Sequence, residues 1–403
     1  MLPPSLTSVA NAASSASSHA SAAFARPAPV VITSDGLDAL IRALVEQGYR
    51  VLGPLARDGA IVIDSLTQAA DLPRGLEDVQ APGRYRLEKR DHAAYFAYSV
   101  GAHSWKQVFH VPVERLVQIR RSKQGVDVIP EALPRERIAI FGARSCDLAA
   151  IAIQDRVLAR GEHPDARYAA RREDVFVVAV HCSRAGGTCF CASMNTGPRA
   201  QSGFDLALTE LLDNGSHLFL LEMGSRAGQT LVDKLQTRPA TAEEIAQSAA
   251  ISERTAASMG RRLDTDGLPA RLKENLEHPR WDDVAARCLA CANCTSVCPT
   301  CFCTDVVDTT SLDGNTAERT KQWDSCFNLS FTYVHGGPVR ATVKSRYRQW
   351  LTHKLSTWHD QFDSSGCVGC GRCITWCPVG IDITEEATAI TKNASSHSLE
   401  ETR

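Results

Sequence analysis

Cys288, Cys291, Cys294 and Cys298, followed by Pro299, spell C-x2-C-x2-C-x3-C-P, and Cys367, Cys370, Cys373, Cys377 and Pro378 spell it again. Thiolates at this spacing suit ligation of [4Fe–4S] cubanes. Three of them wrap one cluster, and the fourth, led away by proline, ligates the other. The expected sets are therefore Cys288, Cys291, Cys294 and Cys377 for one cluster, and Cys367, Cys370, Cys373 and Cys298 for the second. Two interlocked clusters form a short wire for single electrons. A zinc ribbon also uses C-x2-C pairs, but needs two cysteines per knuckle, not four in an x2, x2, x3 run. A disulfide framework suits a short secreted chain; this one has 403 residues and fifteen cysteines, an odd number.

Seven cysteines lie outside the two runs. Cys146 falls four residues past a strand expected to end at Gly142, and Cys182 two past one expected to end at Val180. Cofactors of open α/β sheets sit outside the carboxyl ends of parallel strands. Cys189 and Cys191 follow on a Gly-rich loop, 181–191, able to fold back over that edge. Cys146, Cys182, Cys189 and Cys191 are thus expected to ligate a third [4Fe–4S] cluster, against the alternative of inert buried thiols. Cys301, Cys303 and Cys326 are one thiol short of a cubane and stay unassigned.

The elements that must carry these thiols follow from periodicity. A helix is expected over Asp35–Gln47, capped by Ser34. Strands are expected at Ala60–Asp64, Arg84–Leu87, Tyr95–Tyr98, Arg137–Gly142, Asp174–Val180 and Leu218–Leu221, with a helix at Asp147–Ala159. Fully apolar strands alternating with helices predict an α/β N-terminal domain with a small parallel sheet. Thr241 and Glu244 form a capping box for a helix to about Leu263, and another helix is expected near Leu268–Glu277. The two cysteine runs start 79 positions apart, and the material between them reads as mainly helical. A mainly α-helical ferredoxin-type domain with an insertion follows. The expected division is a disordered Ala/Ser-rich tail 1–33, the α/β domain 34–240, a helical connector 241–280, the dicluster domain 281–390 and a frayed tail 391–403.

Composition narrows the function. A net charge of −2 argues against the usual basic nucleic-acid binder. No apolar stretch approaches the ~20 residues of a membrane span. Residues 1–33 lack the charged and continuous apolar regions of a signal peptide. Thiols kept free for metal point to a reducing compartment, the cytoplasm. No Rossmann fingerprint, P-loop, nucleophile elbow or H-E-x-x-H motif occurs, so no catalytic residue is assigned. His181 beside Cys182 reads as a core or supporting residue, and Trp323, Trp350, Trp358 and Trp376 as packing. Between Ser325 and His359 there is no acid, while Arg340, Lys344, Arg346, Arg348 and Lys354 are basic. They could stabilise an anionic cluster or form a solvated docking face.

From about residue 35 the chain resembles the β, electron-transfer, subunit of cytoplasmic NAD(P)-linked [NiFe] hydrogenases, or sulfhydrogenases. The related A subunit of anaerobic sulfite reductase shares the features. The resemblance rests on Phe141-Gly-Ala-Arg-Ser-Cys146-Asp, His181-Cys182 with Cys189-Phe-Cys191, and His278-Pro-Arg-Trp-Asp282. It continues through both cysteine runs, Cys301-Phe-Cys303 and Trp323-Asp-Ser-Cys326. It implies a relay between a flavin-containing NAD(P)-reactive subunit and the hydrogenase small subunit, and through that the large subunit. It further implies that neither flavin nor nickel is held here. The same relay in a sulfite or sulfur reductase, or an iron–sulfur redox sensor, are the alternatives; a sensor would need an output domain, which the sequence does not display.

Overall fold

The computed structural model describes residues 24–213 and 216–392. The terminal tails expected at 1–33 and 391–403 fall largely outside that span. The N-terminal one ends early: Val30–Thr33 is strand β1, with Val31 and Ile32 buried. The helix Ser34–Glu46 follows, and Thr33, not Ser34, caps it, its Oγ1 accepting from the Gly36 N–H. Leu37, Leu40, Ile41 and Leu44 recur at helical spacing and are fully buried.

The chain continues through β2 (Arg50–Arg57), β3 (Ala60–Ser65), β4 (Leu76–Ala81), β5 (Arg84–Lys89), β6 (Val113–Ser122) and β7 (Gly125–Pro130). Residues 95–98, expected as a strand, form a buried irregular segment instead. The Glu210 carboxylate accepts the N–H groups of Tyr95 and Phe96, so a side chain replaces a ladder. Then come β8 (Ile138–Ala143), the helix Ser145–Leu158, β9 (Phe176–Val180), β10 (Leu206–Asp213), β11 (Ser216–Met223) and β12 (Arg238–Pro239).

The main sheet is larger and more mixed than the small parallel one expected. Its eight strands run β12-β1-β11-β10-β9-β8-β2-β3. Only the centre, β10, β9, β8 and β2, is parallel; the flanks are antiparallel. Val178, Val180 and Phe141 face one core beneath the first helix, and Val177, Ala179 and Ile140 face another beneath Ser145–Leu158. Burial on both faces is why β8 and β9 read as continuous apolar runs.

The capping-box helix spans Ala242–Ala257, with both Thr241 and Glu244 bonds made. Helices Leu268–Glu274 and Arg280–Arg287 lead into the first cysteine run. Between the runs the mainly helical expectation fails. β13 (Thr304–Thr310) and β14 (Thr316–Trp323) form a hairpin, and β14 pairs with β6 to complete a second sheet, β13-β14-β6-β7. The hairpin therefore ties the insertion back onto the N-terminal region. Helices resume at Val343–Thr352, a π-helical turn at His353–Thr357, and Trp358–Phe362. Trp281, Tyr347, Trp350, Leu351, Ile374 and Ile383 build this region's own core. Among the described residues no helix is long and apolar enough to cross a membrane.

Candidate metal centres

In each cysteine run a short helix begins just before the third thiol, Asn293–Ser296 and Arg372–Thr375, so the ligand loops have matched geometry. Ala290, Ala292, Gly369 and Gly371 occupy equivalent places and all have positive φ, 50°, 63°, 64° and 75°. That left-handed backbone turns successive sulfurs towards one point and leaves N–H groups aimed at them. The N–H groups of Ala290, Gly369 and Ile381 point at Cys288, Cys367 and Cys377 Sγ, at 3.5, 3.4 and 3.3 Å.

Cys288, Cys291, Cys294 and Cys377 line one cavity with Phe327, Tyr347, Trp350 and Ile381. Three thiols of the first run and the last thiol of the second are thereby brought together, the set expected for the first cluster. Cys373 reaches the same cavity from the adjoining set. These thiols in an otherwise apolar lining fit a thiolate-held cluster. Burial raises the Cys294 thiol well above its ordinary pKa, with Cys326 and Cys288 adding to the rise. Cation charge from bound iron would reverse that preference.

Cys298, Cys367, Cys370 and Cys373 form the second group. Burial pushes Cys367 up to about 12, opposed by Lys354 and increased by Cys370 and Cys298. Burial likewise raises Cys373, with Cys367, Cys298 and Cys370 adding to the rise. Lys354 Nζ donates to Cys298 Sγ at 3.2 Å.

The third group stands at the carboxyl edge of the parallel strands. Cys146 is in the first turn after β8, and Cys182 stands two residues past the end of β9. The 181–191 loop does fold back over this edge. Burial pushes Cys189 up to about 12 and raises Cys191 as well, and Cys182 adds to both shifts. Burial raises Cys146 too, with Asp147, Cys191 and Cys370 adding. The group therefore abuts the second one: the Phe190 N–H donates to Gly369 O at 2.8 Å. Buried Arg144 and Arg372 supply positive charge, Arg372 Nη2 donating to Asp147 Oδ1 at 2.9 Å. Among the described residues no three His, Cys, Asp or Glu side chains gather as tightly as one metal ion requires; a cubane spreads its thiolates over four irons.

Cys301, Cys303 and Cys326 adjoin the ferredoxin-type groups rather than the third. Cys301 is a close neighbour of Cys298, and Cys326 of Cys303. His181 turns away from the thiols: its Nε2 lies 2.9 Å from Glu222, and its Nδ1 accepts from the Ala200 N–H. Trp350 and Trp358 pack as expected, whereas Trp323 lies 3.8 Å from the Lys106 ammonium, ring face to charge.

The basic stretch divides by residue. Lys344 and Arg348 pair at the surface with Asp282 and Glu277. Lys354 is buried against Cys298 and the Trp358 ring, and Arg346 is buried within electrostatic reach of Cys288. Lys106, Arg144 and Arg372, which carried no signal in sequence, join them as buried cations. Only the fold, which brings residues 106 and 295 together, reveals them.

A family model described as a 4Fe-4S dicluster domain matches residues 287–381, the span of both cysteine runs. No solved structure matches the chain. The sulfhydrogenase 2 subunit beta of Pyrococcus furiosus is 32% identical over 280 residues, 69% of this chain and 79% of that one. With its paired cysteine runs and that relative, this chain belongs to the hydrogenase and sulfhydrogenase β-subunit family, and its role is iron–sulfur electron transfer.

Proposed function

We propose that the chain relays single electrons through three [4Fe–4S] clusters between a flavin-containing NAD(P)-reactive subunit and the small subunit of a [NiFe] hydrogenase, in the cytoplasm. The ligand sets are Cys288, Cys291, Cys294 and Cys377; Cys298, Cys367, Cys370 and Cys373; and Cys146, Cys182, Cys189 and Cys191. The observation that carries the reading is the cavity shared by three thiols of one run and Cys377 of the other. A run folded for any single-motif purpose would not need its partner's last cysteine.

A bound cubane supplies reversible one-electron storage. The protein's own residues hold, insulate and balance it. Phe327, Tyr347, Trp350 and Ile381 keep water from the inner side of the first site. The N–H groups of Ala290, Gly369 and Ile381 favour thiolate over thiol. Buried Lys354, Arg346, Arg372 and Arg144 offset the negative charge that an added electron brings. The partner assignment is supported by the relative's name and by the resemblance of the cysteine segments.

Anaerobic purification of the native complex, with subunit identification and metal counting, tests the whole reading. Three cubanes predict about twelve irons per chain and two predict about eight. Cys182→Ala should remove about four irons and one paramagnetic signal while the interlocked pair stays. Unchanged iron in that variant would defeat the third cluster. Zinc in place of iron would defeat the wire, and a siroheme-bearing partner in place of a nickel-bearing one would reassign its terminus.

A further inference from the structure

Lys354 sits in the π-helical turn His353–Thr357 and is 3% exposed. Such turns are uncommon and recur at functional positions. Its Nζ donates to Cys298 Sγ at 3.2 Å, to Thr300 Oγ1 at 3.0 Å and to Gly366 O at 3.2 Å. Three acceptors use all three ammonium donors. Among the described residues none of its partners is a carboxylate, unlike those of Lys344 and Arg348 ten and six residues earlier. A buried cation is tolerated when an anion faces it, and the group facing this one is a sulfur.

The surroundings are arranged to keep the contact. Thr300 Oγ1 accepts from Lys354 and donates to Gly366 O at 2.7 Å. Gly366 precedes Cys367, and its N–H donates to the Lys354 carbonyl at 2.8 Å. A Cβ on Gly366 would overlap the Trp358 indole. The lysine, the crossing ligand Cys298 and the start of the second run are thus locked into one unit.

We infer that Lys354 is a positioning residue that raises the reduction potential of the cluster held by Cys298, Cys367, Cys370 and Cys373. This rests on the ligand set proposed above. Adding one electron makes that cluster more negative by one charge. A fixed ammonium in contact with a ligand sulfur stabilises the reduced form more than the oxidised one. Cys298 is the ligand borrowed from the other run, so the cation acts where the two ferredoxin-type sites join.

The test is a redox titration of anaerobically purified full-length protein, followed by electron paramagnetic resonance, with iron counted in each sample. Lys354→Met removes charge and donor, Lys354→Gln keeps an N–H donor without charge, and Lys354→Arg keeps charge. With iron unchanged, the signal altered by Cys373→Ser should titrate at lower potential in the neutral variants and near wild type in Lys354→Arg. The other signals should not move. Should both neutral variants lose only this cluster while Lys354→Arg retains it, the charge requirement is likewise supported. A neutral variant that retains its iron and titrates at the wild-type potential overturns the inference. Absence of this cluster from the wild-type protein overturns the ligand set beneath it instead, which iron counting distinguishes.

Discussion

Ala290 and Ala292 hold the same left-handed backbone in the first cysteine run that Gly369 and Gly371 hold in the second. An L-residue pays roughly 1–2 kcal/mol there, so the first run tolerates a cost that the second avoids. Space explains the difference. A Cβ at Gly369 would stand 2.6 Å from the Phe190 carbonyl carbon, and one at Gly371 would overlap the Thr188 carbonyl. These glycines let the loop carrying Cys189 and Cys191 lie directly on the second ligand loop. Gly371→Ala should therefore cost that site its cluster, about four irons by counting. Ala292→Gly, which trades relieved strain for chain entropy of about 0.5–1 kcal/mol, should leave iron content unchanged. Equal iron in both variants would show that the loops do not depend on this contact. The ligand residues were legible because their spacing is chemical. The reason for glycine in one loop and alanine in the other was not, because it lies in a contact between residues 188 and 371.

Among the elements, the β8-turn-helix unit was read from its apolar run to within a residue or two, and the hairpin β13–β14 was missed. The missed signal was present: the Thr- and Val-rich run 304–310 precedes Asp313-Gly314, a turn pair. Weak alternation concealed it, since β13 is largely exposed, β14 is half-buried along its length, and neither has a fully buried face to impose a pattern. The main sheet's antiparallel flanks were illegible for another reason, as β1 pairs with β11 across nearly 190 positions. One ion pair joins the two halves of the site. Asp147, in the first turn after β8, accepts the Arg144 N–H at 3.1 Å and pairs with Arg372 of the second run, their side chains 4% and 2% exposed. Asp147→Asn preserves the helix-start acceptor but strands the Arg372 charge in the interior. Removing one partner of such a pair costs about 3–5 kcal/mol. Anaerobic denaturant unfolding should register that loss. A cost under about 1 kcal/mol would mean that the pair is incidental to holding the sheet edge against the ferredoxin-type loop.

Across the whole molecule the candidate centres form a path from interior to surface. The third group lies at the buried edge of the large sheet, the second abuts it, and the first opens outward. Of the fifteen cysteines Cys291 alone is exposed. Beside it Leu289 is 64% exposed and Val379 37%, apolar residues on the rim of the first cavity. An electron must leave where a ligand sulfur can be approached, and apolar rims favour a protein partner over water. Leu289→Glu tests this end of the path. An exposed substitution should change stability by no more than about 0.5 kcal/mol, so iron content and melting temperature should hold. A charge placed on the rim acts instead on encounter and fit with the partner. If the loss reaches about 1.4 kcal/mol of coupling, the proposed hydrogen-dependent NAD(P)+ reduction by the assembled complex should fall tenfold. The cluster signals of the isolated chain should titrate as before. An unaltered rate in the assembled complex would place electron exchange at another face, most directly the side of the large sheet where Cys182 follows β9.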